Sequence, residues 1–189
     1  METIETGDRG SFESNPEKEQ IPPEELKRLL DFVYTAHQEH NTRKDFRQEG
    51  KVPFVVHPIW CATTLLNDQR IPFEQRRIGY QALLLHDVLE DTSLPLPDFV
   101  GPEVKDAVEQ MSHGTWEDEQ VLEGKSDFVK LLKLCDKMSS IFDETVRPDP
   151  QRRSEWKALT TRLYEDVKEA YGETRIVTLC KAMLDSTDW

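Results

Sequence analysis

Apolar residues return at helical intervals along most of this chain, which predicts a protein built from α-helices. Two segments show the i, i+3, i+4 spacing of one buried face. In 23–40, PEELKRLLDFVYTAHQEH, the residues of this face are Leu26, Leu29, Leu30, Val33 and Tyr34. In the segment that follows Ser126, a predicted N-cap, they are Phe128, Leu131, Leu132, Cys135 and Met138.

Further helices are predicted over 73–91, 102–112, 150–171 and 173–185, and a helix from about Pro58 to Asp68 should turn Ile59, Ala62, Thr63 and Leu66 inward. The segments 41–53, 92–102 and 114–126 are rich in glycine, proline or charge, which is typical of loops. No alternating strand pattern of convincing length interrupts this order. The predicted fold class is therefore an all-α compact helical bundle.

The first 22 residues differ from the rest because they are polar and acidic and lead into Pro22-Pro23. Such a composition predicts a disordered tail over 1–22 and one domain over 23–189. No apolar stretch approaches the roughly 20 residues that span a bilayer, so no membrane is expected as a partner. The three cysteines, Cys61, Cys135 and Cys180, lie far apart in helical context, which indicates buried free thiols and a cytoplasmic protein.

The chain is acidic, with a formal net charge of -13. Duplex binding depends on lysine and arginine side chains that neutralise phosphates, so no nucleic acid is expected as a partner. A small anionic ligand remains possible, since it needs only a local positive pocket or a metal ion.

One apolar run ends abruptly in ionisable residues. Residues 83–92 read LLLHDVLEDT, where a leucine-rich helix is broken by His86, Asp87, Glu90 and Asp91. Burial of a charge is costly unless it is paired or bound to a metal. Residues four apart share a helix face, so His86 lies above Glu90 and Asp87 above Asp91.

Two other segments carry matching chemistry. His57 stands at a helix start in VVHPIW, and Asp136 interrupts the core-facing segment LLKLCDKMSS. Two imidazoles and two carboxylates make a nitrogen and oxygen site suited to Mn²⁺, Fe²⁺, Mg²⁺ or Zn²⁺. Taken singly, His57 is also compatible with a hydrogen-bonded core histidine, and Asp136 with a partner of Lys133 or Lys137.

The order His57, His86-Asp87, Asp136 resembles the HD superfamily of metal-dependent phosphohydrolases. In the detail of its motifs, the sequence is similar to the hydrolase domain of the RelA/SpoT family and to small alarmone hydrolases. The matching segments cover about residues 24–185 and comprise AHQEHNTRKDFRQEGKVPFVVHP (36–58), ALLLHDVLEDT (82–92), FVGPEVKDAVEQM (99–111) and VKLLKLCDKMSS (129–140).

This resemblance implies an HD-domain helical fold and assigns roles to particular residues. It implies one divalent ion, with Mn²⁺ the expected metal, bound by His57, His86, Asp87 and Asp136. It also implies that Glu90 and Asp91 form the pair that activates water. In the loop before the first ligand, it implies substrate contacts from Arg43, which would stack on a purine, and from Lys44, which would meet phosphate.

The chain departs from the family pattern at several places. Ser140 stands where relatives usually have asparagine, and is the third expected substrate contact. The segment 112–126 is shorter and more acidic than usual. Arg152 or Arg153, together with Trp156, are candidates for later substrate contacts, and the spacing of four places Arg152 beside Trp156. Lys130, Lys133 and Lys137 form a stripe at helical spacing that would serve a polyphosphate or pair with acids.

The resemblance implies hydrolysis of the 3′-pyrophosphate of a guanosine alarmone (ppGpp or pppGpp), with release of pyrophosphate. Two alternatives stay open: an HD phosphohydrolase for another nucleotide, and a non-catalytic module that binds a nucleotide or a partner protein. A small nucleotide is the expected partner of the alarmone hydrolase and of the HD phosphohydrolase for another nucleotide. The sequence leaves the oligomeric state undetermined.

Overall fold

The computed structural model describes residues 20–40, 53–142 and 150–186, and every regular element within these ranges is helical. The helices are α1 (Pro23–Glu39), α2 (Val56–Leu66), α3 (Phe73–Leu85), α4 (Val88–Asp91), α5 (Pro102–Met111), α6 (Trp116–Glu119), α7 (Asp127–Phe142), α8 (Pro150–Tyr171) and α9 (Arg175–Ser186). The predicted all-α fold is confirmed. Most of the predicted tail 1–22 and of the loop 41–53 lies outside the described residues.

The predicted helix 73–91 is in fact two helices, because α3 ends at Leu85 and α4 begins at Val88. The ring of His86 lies in the turn between them, and its Nδ1 donates to the carbonyl of Leu83 at 2.7 Å. A continuous helix would offer that carbonyl to the N–H of Asp87, so the side chain competes with the backbone and favours the break.

Two other boundaries differ from prediction. Helix α2 begins at Val56, two residues before Pro58, which is tolerated because proline fits the first turn of a helix. The segment 114–126, predicted to be a loop, contains the one-turn helix α6. Its N-cap is Thr115, whose Oγ1 accepts from the N–H of Asp118 at 3.2 Å.

The predicted N-cap of α7 is confirmed, since Ser126 Oγ accepts from the N–H of Val129 at 3.3 Å. Helix α8 ends before Gly172, whose φ of +72° is the left-handed conformation that glycine adopts without strain. Helix α9 begins against the buried Asp68, whose Oδ2 accepts from the N–H of Ile176 at 2.8 Å. These contacts set where each of the three helices begins or ends.

The core lies where α2, α3 and α7 pack against one another, with α5, α8 and α9 around them. Gly79 on α3 makes this approach close. A Cβ at this position would meet Leu132 Cδ2 of α7 at 2.9 Å and would also collide with Leu65 Cδ2 of α2. The lack of a side chain at Gly79 therefore lets three helices meet, and the site below is built from these three helices.

The predicted buried faces are correct for α7 and partly wrong for α1 and α2. On α1, Leu29 and Val33 are fully buried, whereas Leu26 and Tyr34 are exposed. Helix α2 buries its Cys61 and Leu65 but exposes Ile59. Because VHPIWCATTLL is apolar on almost every face, periodicity alone cannot identify the face of α2 that turns inward.

The three cysteines are buried free thiols, as predicted. No helix in the described ranges combines the length and the apolar character needed to cross a bilayer.

Candidate metal centre

Three helices bring the four predicted ligands together. His57 lies in the first turn of α2, His86 and Asp87 occupy the turn after α3, and Asp136 lies in the middle of α7. We call these residues the four-residue cluster. The side chains of His86 and Asp87, although adjacent in the chain, come within 3.2 Å of each other in the turn between α3 and α4.

The distances within the cluster are short. His57 Nε2 lies 3.2 Å from His86 Nε2, 3.2 Å from Asp136 Oδ1 and 3.5 Å from Asp87 Oδ2. His86 Nε2 lies 3.2 Å from Asp87 Oδ2 and 3.6 Å from Asp136 Oδ1. Both carboxylate oxygens therefore lie within 3.6 Å of both Nε2 atoms.

Both rings are oriented by contacts at their Nδ1 atoms. His86 Nδ1 must carry a proton, because its partner is the carbonyl of Leu83. His57 Nδ1 lies 2.8 Å from Ser139 Oγ, and a proton on this atom would be donated to that hydroxyl. In the neutral rings this arrangement leaves the Nε2 lone pairs for the cluster, as in metal sites whose histidines are held by outer-shell partners.

The donor set fits a divalent ion. Ligand atoms about 2.1 Å from an ion, at angles between octahedral and tetrahedral, lie about 3.0–3.4 Å apart. The distances in the cluster, 3.2–3.6 Å, are close to that range. His57, His86 and Asp136 form a group whose ligand atoms could hold a metal ion. Asp87 Oδ2 is buried and accepts no hydrogen bond within the described ranges, so a cation is a suitable partner for it.

The electrostatics of the cluster favour a positive charge at its centre. Burial disfavours the charged imidazole of His86, but the carboxylates of Asp87 and Asp136 outweigh burial and raise its pKa from 6.5 to about 9. Burial also opposes ionisation of Asp136, yet Lys137 and the two imidazoles hold the pKa of this carboxyl well below its usual range. A proton or a cation is therefore stabilised there.

The predicted water-activating pair follows one turn later. Glu90 and Asp91 close the short helix α4, where Asp91 is buried and Glu90 is half-buried. Glu90 Oε1 accepts from the backbone N–H of His113 at 3.0 Å and lies 3.0 Å from its ring Nδ1. Sequence reasoning missed His113, and also Glu119, whose Oε2 lies 3.2 Å from His113 Nε2. The only available signal was an isolated histidine in a polar segment.

The lysines of α7 do not form an open stripe. Lys130 pairs with Asp166 at 2.8 Å, and the buried Lys133 donates to the carbonyl of Met111 at 3.1 Å. Lys137 contacts both Glu119 and Asp136. Of the two roles considered for these lysines, pairing with acids describes Lys130 and Lys137, and Lys133 caps the end of α5.

Only some of the expected substrate contacts lie within the residues that the structure describes. Arg43 and Lys44 lie outside the described ranges. Ser140 lies one turn after Asp136 and its hydroxyl donates to the carbonyl of that residue at 3.4 Å. Arg152 and Trp156 line a pocket of about 260 Å³ together with His113, Gly114, Thr115, Trp116 and Glu119.

This pocket has aromatic walls. The rings of Trp116 and Trp156 lie 6.3 Å apart between centroids, and the guanidinium carbon of Arg152 lies 4.4 Å from the Trp116 ring centroid. The indole N–H of Trp116 is buried and finds no hydrogen-bond acceptor within the described ranges. Because His113 belongs to the pocket wall and also contacts Glu90, the pocket is adjacent to the predicted catalytic pair.

Comparison with known proteins supports the fold. No protein-family model matches the chain, and no curated protein sequence matches it. A solved structure described as "A metazoan ortholog of SpoT hydrolyzes ppGpp and plays a role in starvation responses" matches with a TM-score of 0.66 and 21% sequence identity. The match covers 88% of this chain and 97% of that one. The chain therefore shares the helical fold of that structure.

Proposed function

We propose that this protein is a metal-dependent phosphohydrolase that removes the 3′-pyrophosphate from a guanosine alarmone such as ppGpp or pppGpp. The observation that carries the proposal is that a carboxylate oxygen of Asp87 and one of Asp136 each lie within 3.6 Å of both imidazole Nε2 atoms. Glu90 and Asp91 follow about one helical turn later. The fold shared with a ppGpp hydrolase supports the same reading.

In this proposal His57, His86, Asp87 and Asp136 hold one divalent ion, and Mn²⁺ is the expected metal. When bound, such an ion polarises a phosphoryl oxygen and lowers the pKa of water. Two neutral imidazole nitrogens and two carboxylate oxygens suit a hard or borderline cation, whereas a structural zinc site would commonly use thiolates.

The chain's own residues then carry the proton. Water adds to the phosphorus attached to the 3′ oxygen while a carboxylate of Glu90 or Asp91 accepts its proton. The bond between that phosphorus and the 3′ oxygen breaks, pyrophosphate leaves, and the same carboxylic acid returns the proton to the 3′ oxygen. For ppGpp the products are GDP and pyrophosphate, so atoms and charge balance without any further reactant.

The nucleotide contacts are the finer part of the proposal. Arg43 is proposed to stack on the purine, Lys44 to meet phosphate, and Ser140 to lie near the sugar. Arg152 and Trp156 add a guanidinium and an aromatic face in the pocket beside His113, which suit a phosphate group and a planar base. The cytoplasm stays the predicted compartment.

A second candidate function is hydrolysis of a different nucleotide. Two observations favour it. The hydroxyl of Ser140 bonds within its own helix, where relatives would present an asparagine amide. The lysines of α7 are occupied by acids and by a backbone carbonyl, which leaves fewer cations for an additional diphosphate.

The deciding experiment is a turnover screen of the purified chain with Mn²⁺ against ppGpp, pppGpp, GTP, GDP and nucleoside monophosphates. Product nucleotides and pyrophosphate are quantified by anion-exchange chromatography. We expect GDP and pyrophosphate from ppGpp in equal amounts. Hydrolysis confined to the monophosphates would refute the alarmone proposal and support the second candidate.

Variants separate the proposed roles. Glu90→Gln and Asp91→Asn should retain Mn²⁺ and lose about 10²–10⁴-fold in rate, the usual contribution of a general base. Glu109→Gln, which neutralises an exposed glutamate on α5, is the matched control and should remain fully active. Unchanged turnover in both site variants would remove the water-activating role from the pair.

The substrate contacts are tested by exchanging the two basic residues of the loop. Arg43→Lys should raise the Michaelis constant for ppGpp more than Lys44→Arg does, because only the planar guanidinium stacks well on a base. The metal content of both variants should equal that of the wild type. Equal Michaelis constants in the two variants would contradict the stacking role.

A further inference from the structure

A series of five side chains with alternating charge connects Glu90 to Asp136. We call this series the charge chain; in order it comprises Glu90, His113, Glu119, Lys137 and Asp136. His113 places Nδ1 3.0 Å from Glu90 Oε1 and Nε2 3.2 Å from Glu119 Oε2. Lys137 Nζ contacts Glu119 Oε1 and lies 3.1 Å from Asp136 Oδ2.

The charge chain is largely shielded from water. The exposed fraction of the side chain is 5% for Glu119, 10% for Lys137, 9% for Glu90 and 23% for His113. A buried charge is strongly destabilising when it loses its partner. Each inner residue contacts an opposite charge on both sides, so a neighbour that loses one partner keeps the other.

At one end the charge chain holds a metal-ligand candidate. Lys137 contacts Oδ2 of Asp136, while Oδ1 of the same carboxylate faces the two imidazoles. The lysine therefore holds the carboxylate in the orientation that turns one oxygen into the four-residue cluster. Glu119 in turn fixes Lys137, because it is the second carboxylate in contact with the ammonium group.

At the other end the charge chain holds the proposed base. The backbone N–H of His113 donates to Glu90 Oε1 at 3.0 Å, and the ring Nδ1 lies at ion-pair distance, 3.0 Å, from the same oxygen. One residue therefore contacts that carboxylate in two ways. His113 and Glu119 both come from 112–126, the segment in which the sequence departs from the family it resembles.

We infer that His113 and Glu119 are positioning residues of the proposed hydrolase. His113 orients Glu90 for proton transfer, and Glu119 acts through Lys137 to orient Asp136 toward the ion. The inference rests on the proposed function for the rate effect, whereas the effect on metal binding is independent of any substrate.

The metal arm of the test titrates Mn²⁺ alone into the metal-free full-length protein by isothermal calorimetry. Loss of an outer-shell partner commonly costs about 10–100-fold in metal affinity, so Glu119→Gln should weaken Mn²⁺ binding by that factor. The matched control is Glu117→Gln, which removes the same charge two residues earlier in α6 from an exposed side chain and should bind as the wild type does. Equal affinities for the two variants would overturn the role of Glu119.

Circular dichroism verifies that each variant is folded. Should Glu119→Gln fail to fold, the double variant Glu119→Gln/Lys137→Met replaces it, because it leaves neither partner as an unpaired buried charge. Its Asp136 also lacks the orienting contact, so weakened Mn²⁺ binding is again expected. Wild-type affinity in this double variant would refute the inference.

The rate arm compares His113→Ala with His113→Asn. The alanine variant should lose about 10–100-fold in kcat with Mn²⁺ affinity unchanged, as expected for an outer-shell contact to the base rather than to the ion. The asparagine variant should recover part of the rate, since its amide can donate to Glu90. A wild-type kcat in the alanine variant, or a parallel loss of Mn²⁺ affinity, would overturn the role of His113. If the wild type binds Mn²⁺ but hydrolyses no nucleotide, the proposed function fails, and the Glu119 result then decides the inference.

Discussion

Binding of a divalent ion to the four-residue cluster should release about one proton at pH 7. In the metal-free protein the carboxylates of Asp87 and Asp136 outweigh burial and raise the pKa of His86 to about 9. Its Nδ1 proton is committed to the carbonyl of Leu83, so the proton gained is on Nε2, the atom that faces the cluster. An imidazolium has no lone pair for a metal, and this proton must leave before the ring can bind.

The expected magnitude follows from that pKa. At pH 7, about two units below it, about 99% of the metal-free rings carry the proton, so about one proton is released for each ion bound. Competition with this proton weakens binding by roughly 3 kcal/mol at pH 7, since one pKa unit corresponds to about 1.36 kcal/mol. The sign is definite: the apparent affinity should rise about tenfold per pH unit from pH 6 to pH 8 and level off above pH 9.

The assay is calorimetric titration of Mn²⁺ in buffers of different ionisation enthalpy at one pH. The slope of the observed enthalpy against the buffer ionisation enthalpy counts the protons released. His113 offers a matched control. Burial lowers the pKa of its imidazole, but the carboxylates of Glu119 and Glu90 outweigh burial and raise that pKa to about 9. This ring does not contact the four-residue cluster. His113→Asn should therefore keep the full proton release. A slope of zero in the wild type at pH 7 would refute the assignment of His86 as the ligand that exchanges a proton for the ion.

Three further substitutions test how the fold supports the site. Ser139→Ala removes the hydroxyl that lies 2.8 Å from His57 Nδ1 and should weaken Mn²⁺ binding about tenfold or more in a calorimetric titration; unchanged affinity would show that the ring needs no such contact. Gly79→Ala gains about 1 kcal/mol of helix propensity but overpacks the junction of α2, α3 and α7, which costs about 1–3 kcal/mol. Urea unfolding should therefore give a free energy of unfolding that is unchanged or lower by up to about 2 kcal/mol, and a more stable variant would contradict the packing argument. Asp68→Ala leaves the N-terminus of α9 without its carboxylate acceptor and should lower the free energy of unfolding by about 1–2 kcal/mol in the same assay. An unchanged free energy would show that solvent replaces that hydrogen bond.

The helical character of the chain was accessible from the sequence because it depends on local spacing. An apolar face repeats every three or four residues whether or not the neighbouring helices are known, so α7 and its cap at Ser126 were predicted correctly. The same reasoning did not find the inward face of α2. Apolar residues surround that helix, and only packing against α3 and α7 selects the side that carries His57 and Cys61 inward.

The residues of the four-residue cluster were also accessible from the sequence, since a buried-looking run that contains ionisable groups needs a compensating partner. The meeting of His57, His86, Asp87 and Asp136 at one point was a hypothesis that only three packed helices could test. The break at His86 was not predictable, because it depends on a side-chain bond to Leu83 that competes with the backbone ladder.

Pairing between distant charges was decided by tertiary structure alone. The spacing of Lys130, Lys133 and Lys137 was compatible with a polyphosphate surface or with acid partners, and no local rule separates the two. In the folded chain Lys137 lies between Glu119 and Asp136, and His113 lies between Glu119 and Glu90. Sequence spacing defines which residues share a helix face, whereas contacts across the fold depend on how the helices pack, and so the charge chain emerges only when α4, α6 and α7 are in place.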